Sequence, residues 1–191
     1  VVSAGLFLDK LFSANQIDEA CHALRREISN VSLIGMPGCG KSTVGRALAR
    51  ALAKQYVDLD DVIEKNAKMP IPDIFAQYGE ETFRKYEAEA VAACSKHTDQ
   101  VIACGGGVIK TPGNARMLRQ NGPVLWIRRP VEKLPTTGRP LSMGGHSLKQ
   151  MEAERTPLYR AACDAAVDNY GHLADTVRDA VEAFDQTFDV R

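Results

Sequence analysis

One glycine-rich segment, residues 35–42, constrains this chain more than any other feature. It reads G-M-P-G-C-G-K-S and fits the pattern G-x-x-x-x-G-K-[ST] without a gap. The apolar run Val31–Ile34 before it predicts a buried strand, and the apolar spacing after it predicts a helix. Glycines let the backbone curl so that successive N–H groups face phosphate oxygens, and the helix N-terminus adds positive partial charge. An ordinary glycine-rich turn is the alternative, but both flanks favour a phosphate-binding loop (P-loop).

This loop predicts a site for a nucleoside triphosphate and its metal ion. In such loops the lysine, here Lys41, can reach the β- and γ-phosphates, and the hydroxyl of Ser42 can bind Mg²⁺. We therefore predict that Lys41 is catalytic and that Mg²⁺ is the cofactor. The predicted ATP-binding residues are Gly38, Cys39, Gly40, Lys41, Ser42 and Thr43.

The size and composition of the chain limit the kinds of partner and the cellular compartment that we expect for it. The 191 residues suit one globular domain, and a formal net charge of zero argues against a dedicated nucleic-acid binder. The five cysteines are scattered and form no C-x-x-C pair, so a reducing cytoplasm is the simpler expectation. The apolar residues 1–8 follow no basic region and are interrupted by Asp9 and Lys10. They therefore predict neither a signal peptide nor a membrane span.

Strands and helices are predicted to alternate along most of the chain. Such alternation is typical of an α/β fold in which helices cover both faces of a mostly parallel sheet. We predict helical structure over 6–29, and then a domain over 30–191 with a mobile loop at 135–148. Strands are predicted at 31–34, 56–59, 101–104, 124–127 and 165–167, and helices at 41–54, 80–97, 148–162 and around 174–184.

Two carboxylates follow the second predicted strand. Strand alternation would place Asp58 and Asp60 on the same side, at the end of the sheet where ligands bind in open α/β folds. One carboxylate could hold the water shell of the metal, and the other could accept a hydrogen bond from an acceptor hydroxyl. The alternative is that Asp60 or Asp61 only caps a helix.

Glycines and arginines supply the remaining candidates. Gly105, Gly106 and Gly107 follow the third predicted strand and leave backbone that a ligand could approach, although a plain turn is equally compatible. Arginines that converge on a cleft would select an anionic acceptor, because guanidinium binds carboxylate through two hydrogen bonds. The candidates are Arg84, Arg139 and Arg155, with the alternative that Arg84 and Glu87 are merely a surface pair.

Together these motifs resemble the shikimate kinase family, a group with the nucleoside-monophosphate-kinase-like P-loop fold. The resemblance extends from about Val31 to Phe184 and includes F-R-x-x-E at 83–87, R-P-L at 139–141 and R-x-P-L-Y at 155–159. It implies a three-layer α/β/α fold with a five-stranded sheet, and phosphorylation of the 3-hydroxyl of shikimate by ATP.

The resemblance also implies particular roles. Arg84 and Arg155 would clamp the carboxylate of shikimate, Asp60 would bind its ring hydroxyls, and the glycines around Gly106 would contact it. Arg139 would reach from a lid to the transferring phosphate, and would thus be a catalytic and ATP-binding residue. Asp58 would join Ser42 around Mg²⁺.

The chain departs from the family pattern on the nucleotide side. An arginine usual just before the lid is replaced in the segment 133–137, and a second one is replaced in 168–172. Residues 1–29 precede the part that resembles the family. The stretch 5–12 faintly resembles the closing helix of shikimate dehydrogenase, so a fusion to such a dehydrogenase is one reading and a plain helical extension is the other.

Two other functions compete with this one. Another small-metabolite kinase on the same fold, such as a gluconate-kinase-like protein, would not need the combination of Arg84, Arg155 and three glycines. A nucleotide-dependent switch of the GTPase type would carry an N-K-x-D motif, which the sequence lacks.

Overall fold

Five parallel strands form the centre of the computed structural model, which describes residues 12–134 and 147–189. The strands are β1 (Val31–Ile34), β2 (Gln55–Asp58), β3 (Gln100–Ala103), β4 (Val124–Arg128) and β5 (Ala165–Asp168). They pair in the order β2-β3-β1-β4-β5, with Leu33 opposite Ala103 on one side and Leu125 on the other. The strand that precedes the P-loop therefore lies at the centre of the sheet.

Seven helices accompany the strands in the described ranges. They are α1 (Ala14–Ile28), α2 (Lys41–Ala51), α3 (Leu59–Ala67), α4 (Ile71–Cys94), α5 (Asn114–Leu118), α6 (Leu148–Ala162) and α7 (Leu173–Asp189). Right-handed crossovers place α2 and α7, which contact each other, on one face of the sheet and α4, α5 and α6 on the other. None of these helices is both long and apolar enough to cross a membrane.

The core forms where strands are covered on both faces. All four residues of β1 and all four of β3 are buried, which is why these strands are nearly continuous apolar runs rather than alternating ones. The edge strand β2 is only partly buried. The carboxyl ends of β2, β3, β1 and β4 consequently lie side by side along one edge, which is where the predicted site residues follow their strands.

The predicted α/β architecture is confirmed, and two of its elements need correction. No helix was predicted over Leu59–Ala67, although Leu59 and Ile63 are buried at helical spacing there. Helix α4 begins at Ile71 rather than Glu80, and it is broken at Gly79, where φ is 76° and ψ is 179°. The helix predicted over 6–29 is present as Ala14–Ile28, and residues 1–11 lie outside the described part. Most of the predicted loop at 135–148 lies outside it as well.

Candidate active site

A cavity of about 560 Å³, here called the cleft, lies at the carboxyl ends of these strands. It brings together parts of the P-loop, the end of β2, the three glycines after β3, and helices α4 and α6. Predicted site residues that line it are Gly38, Gly40, Lys41, Ser42, Thr43, Asp58, Asp60, Arg84, Gly105, Gly106, Gly107 and Arg155. Residues far apart in sequence therefore meet at one site.

The conformation of the P-loop is stabilised by a glycine with a positive φ and by Asn169, which follows the edge strand β5. Gly40 has a φ of 100° and begins α2, and a side chain there would collide with the amide of Asn169. That amide donates a hydrogen bond of 2.7 Å to Cys39 O. Lys41 is buried, and its Nζ donates to Gly35 O and Met36 O at 2.9 Å each. The side chain of Cys39 is buried in the core, so the structure does not place it on the cleft.

Asp58 joins the P-loop to the next strand. Its Oδ2 accepts hydrogen bonds from Ser42 Oγ at 3.0 Å and from Tyr56 OH at 2.8 Å. Burial together with the bond to Asp58 raises the pKa of Tyr56 to about 12, so the phenol remains a donor. A hydroxyl and a carboxylate side by side are hard oxygen ligands of the kind that Mg²⁺ prefers.

Asp60 reaches the cleft by a different route from the predicted one. The strand ends at Asp58, whose Oδ1 accepts the N–H of Asp60 and thereby caps α3. Asp60 therefore lies in the first turn of a helix, and strand alternation does not apply to it. The suggestion that Asp60 or Asp61 is the cap is also wrong, because Asp58 is.

The ionisation of Asp60 is shifted by its surroundings. Its side chain is open to the cleft, yet nearby protein atoms displace much of its water, and the negative charge of Asp58 lies close. These two effects outweigh the attraction of Lys41 and raise the pKa of Asp60 to about 6. A carboxylate with this pKa is ionised at neutral pH and can still take up a proton.

Arg84 is fixed between two glutamates. Its Nη1 donates to Glu87 Oε2 at 2.7 Å and its Nη2 to Glu80 Oε1 at 2.9 Å. The Glu87 side chain is only 1% exposed, so the pair with Arg84 is not the surface pair that sequence spacing allowed. Burial raises the pKa of Glu87, and the charge of Arg84 opposes that rise. The other carboxylate oxygen of Glu87 is buried and accepts no hydrogen bond from any described residue.

The three glycines pack closely against residues that line the cleft, and their contact with a ligand stays a prediction. A Cβ on Gly105 would lie 3.2 Å from both Asp60 Oδ1 and Glu87 Oε1. A Cβ on Gly106 would lie 2.6 Å from the ring of Pro37, and one on Gly107 equally close to the Arg84 guanidinium. A side chain at Gly106 would displace the P-loop, and one at Gly107 would displace Arg84.

Helix α6 forms the part of the cleft wall that lies next to the three glycines. Arg155, which is buried, donates from Nη1 to Gly106 O at 3.2 Å, and the hydroxyl of Tyr159 donates a short bond to the same oxygen. The ring of Tyr159 stacks on Trp126 at 5.7 Å, which ties α6 to β4. Arg155 is thus held against the same glycines that Arg84 contacts.

Several contributors were not found from the sequence, and one predicted residue is outside the described part. Arg139 lies in the range 135–146, which the structure does not describe. The roles of Asn169 and Tyr159 were missed, although Tyr159 ends the R-x-P-L-Y motif. In the described ranges, no group of three or more His, Cys, Asp or Glu side chains forms a metal cluster.

A P-loop that faces carboxylates and arginines across one cleft defines a P-loop kinase for a small acceptor. Comparison with known proteins specifies the class further. The family model for shikimate kinase matches residues 37–185. The shikimate kinase of Clostridium botulinum (strain Alaska E43 / Type E3) is 38% identical over 156 residues, which cover 79% of this chain and 94% of that protein. That of Moorella thermoacetica is 37% identical and covers 81% and 95%.

Solved structures agree with these relatives. Shikimate kinase from Acinetobacter baumannii, in complex with shikimate, superposes with a TM-score of 0.75 at 30% identity, covering 84% of this chain and 95% of that one. The Aquifex aeolicus enzyme gives a TM-score of 0.71 at 28% identity. The chain belongs to the shikimate kinase family, and it is an enzyme of the P-loop kinase fold.

Proposed function

We propose that this protein transfers the terminal phosphoryl group of ATP to the 3-hydroxyl of shikimate, giving shikimate 3-phosphate and ADP. The observation that carries this is the single cleft in which the P-loop faces Asp60, the three glycines and two arginines. Family membership supports the acceptor, as does the shikimate bound in the Acinetobacter baumannii structure.

On the donor side, the P-loop binds the phosphates. Lys41 exchanges its two carbonyl contacts for phosphate oxygens, because an anion is a stronger partner for an ammonium than a carbonyl is. Ser42 and Asp58 would hold Mg²⁺, which would supply positive charge for the terminal phosphates of the nucleotide. From the family resemblance alone, Arg139 contacts the transferring phosphate.

On the acceptor side, Arg84 and Arg155 bind the carboxylate of shikimate and Asp60 binds its hydroxyls. The two arginines are anchored on Glu87 and on Gly106 O respectively, so their guanidinium groups are oriented before the substrate arrives. Such preorganisation lowers the entropy cost of binding. The glycine backbone admits the ring close to the P-loop because no side chains intervene.

The chemistry needs little from the protein besides position and charge. The acceptor oxygen forms the new P–O bond as the bond to the ADP oxygen breaks, and the hydroxyl proton leaves. Asp60, with a pKa of about 6, can orient this hydroxyl and take the proton late in a loose transition state.

A coupled assay of ADP release tests this function. Shikimate should support turnover, whereas quinate, gluconate and the absence of acceptor should support little. Preference for gluconate would favour another metabolite kinase on the same fold. Nucleotide hydrolysis that is independent of all acceptors would contradict the assignment as a metabolite kinase.

Two further features remain proposals. The scattered cysteines support a cytoplasmic location, and residues 12–29, none of which lines the cleft, constitute an extension to the kinase domain.

A further inference from the structure

Arg129 follows directly after β4 and lines the cleft, yet none of the roles above involves it. Its Nε is buried and has no hydrogen-bond partner in the part of the chain that the structure describes. Burying a charged donor without an acceptor is costly, so native proteins rarely leave one in that state. A guanidinium of this kind that faces a binding cavity indicates an anionic ligand.

The other cations that line the described cleft already have acceptors. Lys41 donates to two carbonyl oxygens, Arg84 to two glutamates, and Arg155 to Gly106 O, although the Nε of Arg155 is also unpaired. Their orientations are therefore fixed by the protein. Arg129 differs from them because no such acceptor in the described ranges fixes its guanidinium.

The strand register shows which ligand this cation meets. Trp126 pairs with Ile34, so β1 and β4 run side by side up to their carboxyl ends, and Arg129 follows β4 next to the P-loop that follows β1. β4 lies on the side of β1 opposite to β3 and β2, which carry the glycines and the two aspartates. Arg129 therefore flanks the P-loop on the side away from the glycines and the two aspartates. It shares the cavity with Arg155 of the acceptor side, so it lies where donor and acceptor meet.

We propose that Arg129 binds the terminal phosphate of the nucleotide and stabilises it during transfer. Lys41 then contacts that phosphate from the start of α2 and Arg129 from the end of β4, so two cations share the charge that spreads over its oxygens. The proposal rests on the proposed function in one respect, namely that the donor is a nucleoside triphosphate.

Nucleotide binding without acceptor tests this directly. Calorimetric titration with Mg²⁺ would compare ADP with the non-hydrolysable imido analogue of ATP. Arg129→Gln should weaken binding of the analogue about tenfold and change ADP binding less than about threefold, because only the analogue has the third phosphate. In turnover, kcat should fall on the order of a hundredfold while the KM for shikimate stays within about threefold.

Arg128→Gln is the matched control. Arg128 is the preceding residue, does not line the cleft, and pairs instead with Asp168 at 2.6 Å near the surface. It should leave both affinities and kcat near those of the parent. Thermal unfolding of both variants checks that they fold.

Two further variants test whether the cation itself matters. Arg129→Lys keeps a cation and should therefore have a milder effect than Arg129→Gln. Guanidinium ion added below denaturing concentrations should partly restore turnover in Arg129→Ala, which a purely structural role would not allow.

Three results would overturn the proposal. They are unchanged analogue affinity and kcat in Arg129→Gln, equal weakening of ADP and analogue, or a raised KM for shikimate alone, which would place Arg129 at the acceptor carboxylate. If instead the parent protein binds the analogue but shikimate elicits no ADP release, the proposed function fails, while the comparison of the two nucleotides still decides the role of Arg129.

Discussion

At the scale of single residues, Asp60 lines the cleft in surroundings that disfavour its ionised form. Its pKa of about 6 arises because the cleft removes water from the carboxylate and Asp58 repels its charge. The ionised form offers both carboxylate oxygens as acceptors, whereas in the protonated form one of them becomes an O–H donor. The same shift therefore predicts how both catalysis and stability depend on pH.

The first prediction concerns the pH profile of the reaction. kcat/KM for shikimate should fall as the pH drops below about 6, because this parameter follows ionisation of the free enzyme. Asp60→Asn should be much less active and should lose this acidic limb. If Asp60 mainly positions the hydroxyl, Asn should retain clearly more activity than Ala. The exposed neighbour Asp61 provides the control. Asp61→Asn should keep the kcat/KM of the parent and the acidic limb of its pH profile.

The second prediction concerns unfolding of the ligand-free protein. A carboxyl group whose pKa is raised by folding binds more protons in the native state, so its contribution to stability is present below about pH 4 and is lost as pH rises through about 6. Asp60→Asn should therefore be more stable than the parent at pH 7.5, by on the order of 1 kcal/mol. Two pKa units would correspond to about 3 kcal/mol, but the open cleft screens the charge.

Urea denaturation at pH 4, 5, 6 and 7.5 would measure this difference. The gap between Asp60→Asn and the parent should close toward pH 4, and Asp61→Asn should show no such trend. A variant that is less stable than the parent at pH 7.5 would contradict the assigned environment of Asp60.

The third prediction concerns the two acceptor arginines. Arg84→Lys and Arg155→Lys keep a cation, but they lose the planar fork that binds carboxylate through two bonds. Each should raise the KM for shikimate tenfold or more, with the KM for ATP changed less than about threefold. Lysine is the better test at position 84 because alanine would also leave Glu87 buried without its charge partner.

Steady-state kinetics with each substrate varied would separate the two KM values. Arg116→Lys, on the exposed surface of α5, is the control and should change neither. Equal effects on shikimate and ATP would mean that these arginines do not bind the acceptor.

At the scale of elements, the part that helix α4 plays in the cleft depends on a break in this helix at Gly79. Gly79 has a φ of 76° and a ψ of 179°, a conformation that is essentially restricted to glycine. The segment after it begins with Glu80 and carries Arg84 and Glu87 into the cleft. Without the break, a continuous helix would aim these side chains differently.

The fourth prediction follows from this break. Gly79→Ala should lower the free energy of unfolding by about 1–3 kcal/mol and raise the KM for shikimate, because the strain falls on the backbone that positions Arg84. Apart from the chain neighbours of Gly79, no atom of the described residues lies within 4 Å of the added Cβ, so crowding among them would not explain the loss. Gly171→Ala is the matched control, since it is equally uncrowded and has no positive φ, and should change stability by less than about 1 kcal/mol.

Chemical denaturation and kinetics would be measured on both variants. Gly79→Ala that matched the parent in both would show that the backbone at this position is not strained.

At the scale of the whole molecule, α1 is attached to the kinase domain mainly through polar contacts. None of its residues is buried. Ile28 O accepts the N–H of Asp99 at 2.8 Å, and Arg26 pairs with Asp185 near the surface. The side chain of Lys54 is only 3% exposed and donates to two carbonyls at the end of α1 and to Asp99.

The fifth prediction tests the domain boundary. A chain that starts at Ser29 should keep kcat and both KM values within about twofold, because α1 does not reach the cleft. Its free energy of unfolding should fall by about 1–3 kcal/mol, since Lys54 loses two carbonyl acceptors at the end of α1. Lys54→Met should cost less in this shorter chain than in the full one. Loss of activity would show that the extension belongs to the kinase domain.

The sequence by itself determined those features that depend on local pattern. The P-loop, the order of strands and helices, and the bounds of α6 follow from spacing along the chain, because helix and strand periodicity and glycine conformation are properties of neighbouring residues. The motif residues Asp60, Arg84, Gly106 and Arg155 were likewise identified in advance, and all of them line one cleft.

The tertiary structure alone decided what each of those residues contacts. Packing of α4 on the sheet makes Glu87 a buried anchor for Arg84, and the helix cap at Asp58 turns Asp60 into the cleft. Burial and charge proximity, which shift the pKa of Asp60, are sums over atoms brought together from distant parts of the chain. The strand order, which places Arg129 beside the P-loop, is set by pairing between strands and leaves no signal at that position in the sequence.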